Sequence, residues 1–273
     1  MHGPVTDDER AAEERRLHYE RWQWGGRLPS ESLRAVRESN VLGLLEFDSD
    51  LVHALDGVGA DVQRSVALLA ARRACEAAGL TTVPWVAGAL AALAEGRPLP
   101  PPFDDASRMR ERLNATPFPA GPLVRGAVPP ERPPYFPPTP AGWAWIPASR
   151  PGDDGAQHYE LGRMPEGPSP AVPGDKLSAA RTDVGHVPAT VTPAALTHPA
   201  RTPQVRGPIS QPHFALPAVV AAADPSPLKA VLDAVWHALH TCGEHYPGFL
   251  EEIRGILAGR PDGWRGEAVV PSV

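Results

Sequence analysis

The stretch that decides the fold is residues 61–96, which read DVQRSVALLAARRACEAAGLTTVPWVAGALAALAEG. Its first half repeats apolar residues at helical spacing, with Val66 and Leu69 on the same side. Gly79 predicts a left-handed end to this helix. Pro84 fits the first turn of a second helix, where a proline costs no hydrogen bond. We therefore expect a helix pair at the centre of an N-terminal helical module.

Further helix starts precede this pair. Thr6 and Glu9 form a capping box, which predicts a helix that ends at a pair of glycines. Ser30 and Asp48 are N-cap residues for two more helices. A proline-rich stretch and one short helix follow the central pair, so the predicted module spans residues 1–115.

The middle of the chain has a different composition, because it holds most of the 35 prolines. Such a segment buries too little apolar surface to offset the entropy of ordering it. Residues 116–225 are therefore predicted to form a long, largely disordered, proline-rich linker. Within it, residues 142–161 carry two strand-like runs around a turn, which predicts a weak β-hairpin.

Helical patterning returns at Ser226 and Pro227, which are an N-cap and a first-turn proline. Apolar residues at helical spacing then predict an αα-hairpin over residues 226–260, followed by a tail, 261–273. Two helices alone are too small to be stable. We expect the hairpin to dock in cis on the N-terminal module, with Trp236 as its anchor, or to make a homodimer. The predicted fold is therefore mainly α: helical module, proline-rich linker and αα-hairpin.

Charge and composition limit the classes of partner. The 273 residues carry a formal net charge of −6, which argues against nucleic acid or an anionic membrane held by bulk charge. The N-terminus lacks an apolar leader, and no apolar run reaches the ~18 residues of a membrane span. We expect a cytoplasmic protein with no nucleic-acid and no membrane partner, in which Cys75 and Cys242 are buried free thiols.

Three histidines crowd the end of the first C-terminal helix, namely His237, His240 and His245, and their side chains suit zinc. At about 100° per residue, however, His237 falls opposite the apolar face, whereas Cys242 falls on the core side. Histidines near a helix C-terminus also interact favourably with the helix dipole. A metal-binding protein or enzyme centred on residues 237–245 stays an alternative.

Reactive motifs are absent from the sequence. It contains no glycine-rich phosphate loop, no G-x-S-x-G elbow and no H-E-x-x-H pair. We expect no cofactor and no catalytic residues, and the sequence favours a protein that is not an enzyme. The leading interpretation is a non-catalytic protein–protein interaction or regulatory adaptor that acts through helical surfaces.

Aromatic and proline residues are the candidate partner contacts, namely Trp22, Trp24, Trp236, Pro134, Tyr135 and Pro137. The two tryptophans that end the charged first helix either dock a partner or rest on the module. The tract 132–140 has overlapping P-x-x-P spacings, which suit an aromatic groove. The alternative for this tract is a stiff spacer.

Two blocks carry a resemblance: residues 70–80, AARRACEAAGL, and residues 96–105, GRPLPPPFDD. With the helix between them, they resemble uncharacterised helical proteins of high-GC actinobacteria. The resemblance covers roughly residues 20–115 and implies an actinobacterial source, but no activity, cofactor or site residue.

A DNA-associated regulator is the third interpretation, because a helix, a glycine corner and a second helix invite a helix-turn-helix reading. The second helix, over residues 83–93, offers no Arg, Lys, Asn, Gln or Ser to contact a base or a phosphate. This interpretation is therefore disfavoured.

Overall fold

The computed structural model describes residues 6–117, 124–147, 158–163, 196–197 and 209–259. These residues are mostly helical, which confirms the mainly α prediction. Among them, no helix is both long and apolar enough to cross a membrane.

The described residues contain ten α-helices, one short 3-10 helix (Gly243–His245) and three strands. The helices are α1 (Asp7–Gln23), α2 (Glu31–Ala35), α3 (Val41–Phe47), α4 (Ser49–Asp56), α5 (Ala60–Ala77), α6 (Pro84–Ala94), α7 (Ala106–Asn114), α8 (Gln211–Ala222), α9 (Pro227–Cys242) and α10 (Tyr246–Leu257). The strands are β1 (Trp143–Pro147), β2 (His158–Arg163) and β3 (Leu196–Thr197).

The chain divides into two compact units. Unit 1 comprises Met1–Tyr19 and Pro133–Thr202, and unit 2 comprises Glu20–Arg132 and Pro203–Val273. The predicted N-terminal helical module and the predicted C-terminal hairpin therefore contribute to the same unit, and the division falls inside α1.

The predicted helix ends are formed by the predicted residues. At the start of α1, the Thr6 N–H donates to Glu9 Oε2 at 2.9 Å, and the Glu9 N–H donates to Thr6 Oγ1 at 3.3 Å. After α5, Gly79 has φ +67°, and the Leu80 N–H donates to the Cys75 carbonyl at 2.8 Å. This bond closes a Schellman ending, so both local signals are confirmed.

The helix at the centre of unit 2 is α9, which packs most extensively on α5 and α8 and also contacts α3, α4 and α10. Its buried positions include a stripe of alanines, Ala230, Ala234 and Ala238, none of which is exposed. Small side chains let neighbouring helices approach closely. Both α5 and α6 contribute to the core, but α5 packs most extensively on α9 and α8 rather than on α6, as the predicted central pair required. Because alanine is only weakly hydrophobic, the hydrophobic pattern of the sequence predicted fewer buried positions on α9 than the structure shows.

Helix α8 corrects the linker prediction, because it lies inside residues 116–225. Pro212 sits in its first turn at no cost, but Pro217 lies in its interior and costs about 3 kcal/mol. Leu216 and Val219 are almost completely buried, and such burial contributes about 1.5–3 kcal/mol per side chain. Tertiary packing thus offsets the proline. Much of the remaining predicted linker, and the tail 261–273, lie outside the described residues.

Unit 1 contains the sheet, in the order β1-β2-β3 with antiparallel pairing. Trp145 pairs with Leu161, and Tyr159 pairs with Leu196. β1 and β2 pair with each other where a hairpin was predicted over residues 142–161, and the turn between them lies outside the described residues. The third strand was not predicted, since two residues carry no strand pattern.

Candidate protein-interaction surfaces

Asp233 joins α9 to the start of α3. The residue is only 6% exposed. Its Oδ1 accepts hydrogen bonds from the Asn40 backbone N–H at 2.8 Å and from Asn40 Nδ2 at 3.0 Å. Its Oδ2 accepts from Lys229 Nζ at 3.0 Å. Both oxygens of the carboxylate therefore accept hydrogen bonds from the same chain, and the carboxylate places negative charge at the N-terminus of α3.

Two ion pairs hold α10 against the N-terminal helices. Arg73 on α5 contacts Glu252 at 2.6 Å, and Arg254 contacts the buried carboxylate of Asp48. Asp48 also caps α4 by accepting the Leu51 N–H at 2.9 Å. The C-terminal helices thus pack on the N-terminal helices of the same chain.

Trp236 makes its contacts within unit 2. Its ring lies 6.0 Å from the ring of Phe47 and 4.1 Å from that of His240, edge-to-face in both cases. A Cβ atom added at Gly43 would come within 2.5 Å of Trp236 Cη2. The expected anchor therefore packs against α3 of its own chain, and this contact occupies the ring that was a candidate for partner binding.

The three histidines predicted as a metal site have different surroundings. His237 is half-buried, and this burial lowers its pKa, with the charge of Asp233 opposing the shift. His240 packs among aromatic rings, including Phe47 at 5.7 Å, whereas His245 is exposed in the turn after α9. In the part of the chain that the structure describes, no group of three His, Cys, Asp or Glu side chains could hold a metal ion. The fold does not bring the three histidines together.

The two cysteines are not paired with each other or with another thiol. Burial raises the pKa of Cys75 to about 12 and that of Cys242 to about 11. Both thiols are therefore protonated near neutral pH, and a protonated thiol is a poor nucleophile and a poor metal ligand.

The two tryptophans at the C-terminal end of α1, Trp22 within it and Trp24 just after it, differ in exposure. Trp24 is 1% exposed, and its carbonyl accepts a hydrogen bond from His53 Nε2 at 2.9 Å. It belongs to the core of unit 2, so its prediction as a partner-binding residue is wrong. Trp22 is half-buried, and the Arg132 guanidinium lies 4.7 Å from its ring centroid in a cation–π contact.

A groove of about 300 Å³ lies between α7 and α8. Its apolar walls are formed by Met109, Leu113, Leu216 and Pro217, together with Ala106. Two basic side chains, Arg110 and His213, complete the lining. Both are exposed, and His213 Nδ1 lies 2.7 Å from Ser210 Oγ. Sequence reasoning missed this groove because one wall belongs to the helix that was predicted as linker.

The proline tract packs inside unit 1. Tyr135 lies 5.0 Å from the Tyr19 ring and 5.6 Å from that of His18. The Pro137 carbonyl accepts a hydrogen bond from the Trp145 indole at 2.9 Å, and Pro134 is half-buried. The tract is therefore held by its own chain rather than extended as a bare spacer.

No protein-family model, curated protein or solved structure matches this chain significantly. The functional conclusions therefore rest on the geometry of these surfaces.

Proposed function

We propose that this chain is a non-catalytic protein-interaction adaptor, and that the groove between α7 and α8 is a docking site on its helical surface. The observation that supports this proposal most directly is the composition of the groove. Its apolar walls carry two exposed basic side chains, Arg110 and His213. Sites that bind peptides combine apolar contact area with a few polar groups that fix orientation.

The lining also favours a particular partner chemistry. Leu113 and Leu216 are buried at the base of the groove, whereas Met109 and Pro217 are half-buried. At about 300 Å³, the groove admits a few side chains rather than a whole helix. Arg110 can hold a carboxylate in a two-pronged hydrogen bond. The expected ligand is therefore a protein segment that presents apolar side chains next to an Asp or Glu.

The core of unit 2 supports such a role, because it holds one wall of the groove, α8, in place. Helix α8 packs on α5 and α9 along its length. Its buried residues Leu216 and Val219 are fixed by that packing. A preformed site loses little conformational entropy when a partner binds.

Site-specific crosslinking of the full chain in the cells that make it tests the proposal. A photoreactive side chain at Met109, which lines the groove, should capture a protein partner that the same group at Glu111 on α7 does not. The purified partner should then lose at least about tenfold in affinity for the Arg110→Glu variant, since a favourable charge contact becomes repulsive.

Arg112→Glu is the matched control. It makes the same change of charge on the same helix, but Arg112 does not line the groove. The proposal fails if capture at Met109 is no more specific than at Glu111. It also fails if both charge reversals weaken binding equally, since the effect would then come from net charge alone.

A further inference from the structure

The sheet of unit 1 presents an aromatic face. Side chains alternate between the faces of a strand, so Trp143 and Trp145 share one face of β1. The antiparallel register places Trp145 opposite Leu161, and Pro147 opposite Tyr159. Directly opposite residues share a face, so the indole of Trp145 and the ring of Tyr159 lie on the same side of the sheet.

The proline tract occupies this face. The ring of Phe136 lies 4.8 Å from that of Tyr159 in an edge-to-face contact, and 6.3 Å from that of Trp145. The Trp145 indole N–H donates to the Pro137 carbonyl at 2.9 Å. At the end of the tract, Thr139 Oγ1 donates to the Trp143 carbonyl at 2.8 Å.

These contacts have the chemistry of polyproline recognition. Prolines fix φ near −65°, and a residue before proline favours an extended backbone. An extended proline-rich chain makes no internal hydrogen bonds, so its carbonyls stay available to outside donors. Here the Trp145 indole N–H donates to such a carbonyl, that of Pro137, next to the two rings that contact Phe136. Aromatic-lined grooves bind proline-rich segments in this way.

The tract is only partly buried against this face. Phe136 and Pro137 are half-buried, whereas Pro138 and Pro140 are exposed. Tyr135, which precedes Phe136, packs on Tyr19 of α1 and not on the sheet residues named above. Single hydrogen bonds and single aromatic contacts are individually weak. The covalent connection to β1 compensates for this weakness by keeping the tract at a high local concentration.

We infer that the face of Trp145 and Tyr159 is a recognition surface for an extended partner segment in which an aromatic residue precedes two prolines. Residues 136–138, Phe-Pro-Pro, occupy this surface in cis and compete with such a segment. The inference concerns unit 1 alone and does not depend on the groove between α7 and α8.

The test empties the surface in the full-length chain and offers it a ligand in trans. Phe136→Ala removes the seated ring, and the probe is a fluorescent peptide with the sequence of residues 132–140, RPPYFPPTP. Fluorescence anisotropy should show that the variant binds the peptide at least about tenfold more tightly than the unchanged chain, because the competing tract has lost its anchor. Adding Trp145→Phe should reverse most of this gain, since the ring stays but the indole donor is lost.

Pro140→Ala is the matched control, because Pro140 is an exposed member of the same tract outside residues 136–138, and its replacement should leave peptide binding unchanged. The NMR signal of the Trp145 indole N–H reports whether the surface is intact. Peptide should restore this signal in the Phe136→Ala variant to its position in the unchanged chain.

Two results would overturn the inference. In the first, the indole signal persists in the variant but the peptide binds no better than to the unchanged chain. In the second, the sheet is lost both in Phe136→Ala and in the milder Phe136→Leu, and the peptide does not restore it. The tract would then be a fixed part of unit 1 and not an exchangeable ligand.

Discussion

The contact between Gly43 and Trp236 gives the sharpest test of how α9 docks on α3. A methyl group added at Gly43 would lie 2.5 Å from Trp236 Cη2 and 2.6 Å from Cζ3. The indole cannot move away freely, because Phe47 and His240 pack against it. Gly43→Ala should therefore force a clash between α3 and α9.

The size of the effect follows from two opposing contributions. Overpacking a well-packed contact costs about 1–3 kcal/mol. Replacing glycine by alanine inside a helix contributes about 0.5–1 kcal/mol of stability. Gly43→Ala should therefore lower the free energy of unfolding by about 1 kcal/mol in the unchanged chain. In the Trp236→Ala background the clash is gone, so the same substitution should raise the free energy of unfolding by about 0.5–1 kcal/mol.

Urea unfolding, followed by far-UV circular dichroism, measures this change of sign as a shift of the midpoint at constant slope. Gly88→Ala on α6 is the control, since a Cβ atom there has no atom within 4 Å. It should stabilise both backgrounds equally. If Gly43→Ala stabilises the unchanged chain as much as the Trp236→Ala chain, the two residues do not touch and the docking of α9 on α3 is refuted.

Two further predictions concern titratable groups on α9. Asp233→Ala should lower the free energy of unfolding by about 2–3 kcal/mol, because it removes the acceptor for the backbone N–H and the side-chain amide of Asn40. Urea unfolding measures this loss, and a loss below about 0.5 kcal/mol would show that these bonds are not made. Burial lowers the pKa of His237, so the unfolded chain takes up a proton first as the pH falls. The stability that neutral His237 contributes is fully present above the ordinary histidine pKa of about 6.5. It is lost as the pH falls from there through the lowered pKa that His237 has in the folded chain. The unchanged chain should therefore lose more stability between about pH 7 and pH 5 than His237→Gln does, and equal losses would show that His237 is solvated.

Local signals predicted much of the fold. The capping box at Thr6, the left-handed Gly79 and the N-cap Ser226 are each formed as expected. These signals depend on residues close in sequence, so a pattern can show them. Helix α8 could not be predicted in this way, because Pro217 breaks its pattern and its stability comes from packing on α5 and α9. The sequence therefore placed the first C-terminal helix 16 residues too late, with its N-cap at Ser226 rather than at Ser210.

The candidate surfaces were harder to predict, because each combines residues that are distant in sequence. Trp24 and Trp22 are two positions apart, yet one is buried and the other half-buried. The groove needs α7 and α8, which are separated by about a third of the chain. The sequence singled out the proline tract as a candidate partner contact, but only the pairing of β1 with β2 shows the face of the sheet on which the tract packs.

Helix α9 forms the core of unit 2 together with α5 of the same chain. Hydrogen exchange of the full-length protein, read by mass spectrometry at two protein concentrations, tests this packing. We expect amides of residues 228–241 to exchange as slowly as those of residues 66–75, by global unfolding, and at rates that do not depend on concentration. Faster exchange in residues 228–241, or exchange that slows as the concentration rises, would show that α9 is not held in the core of its own chain.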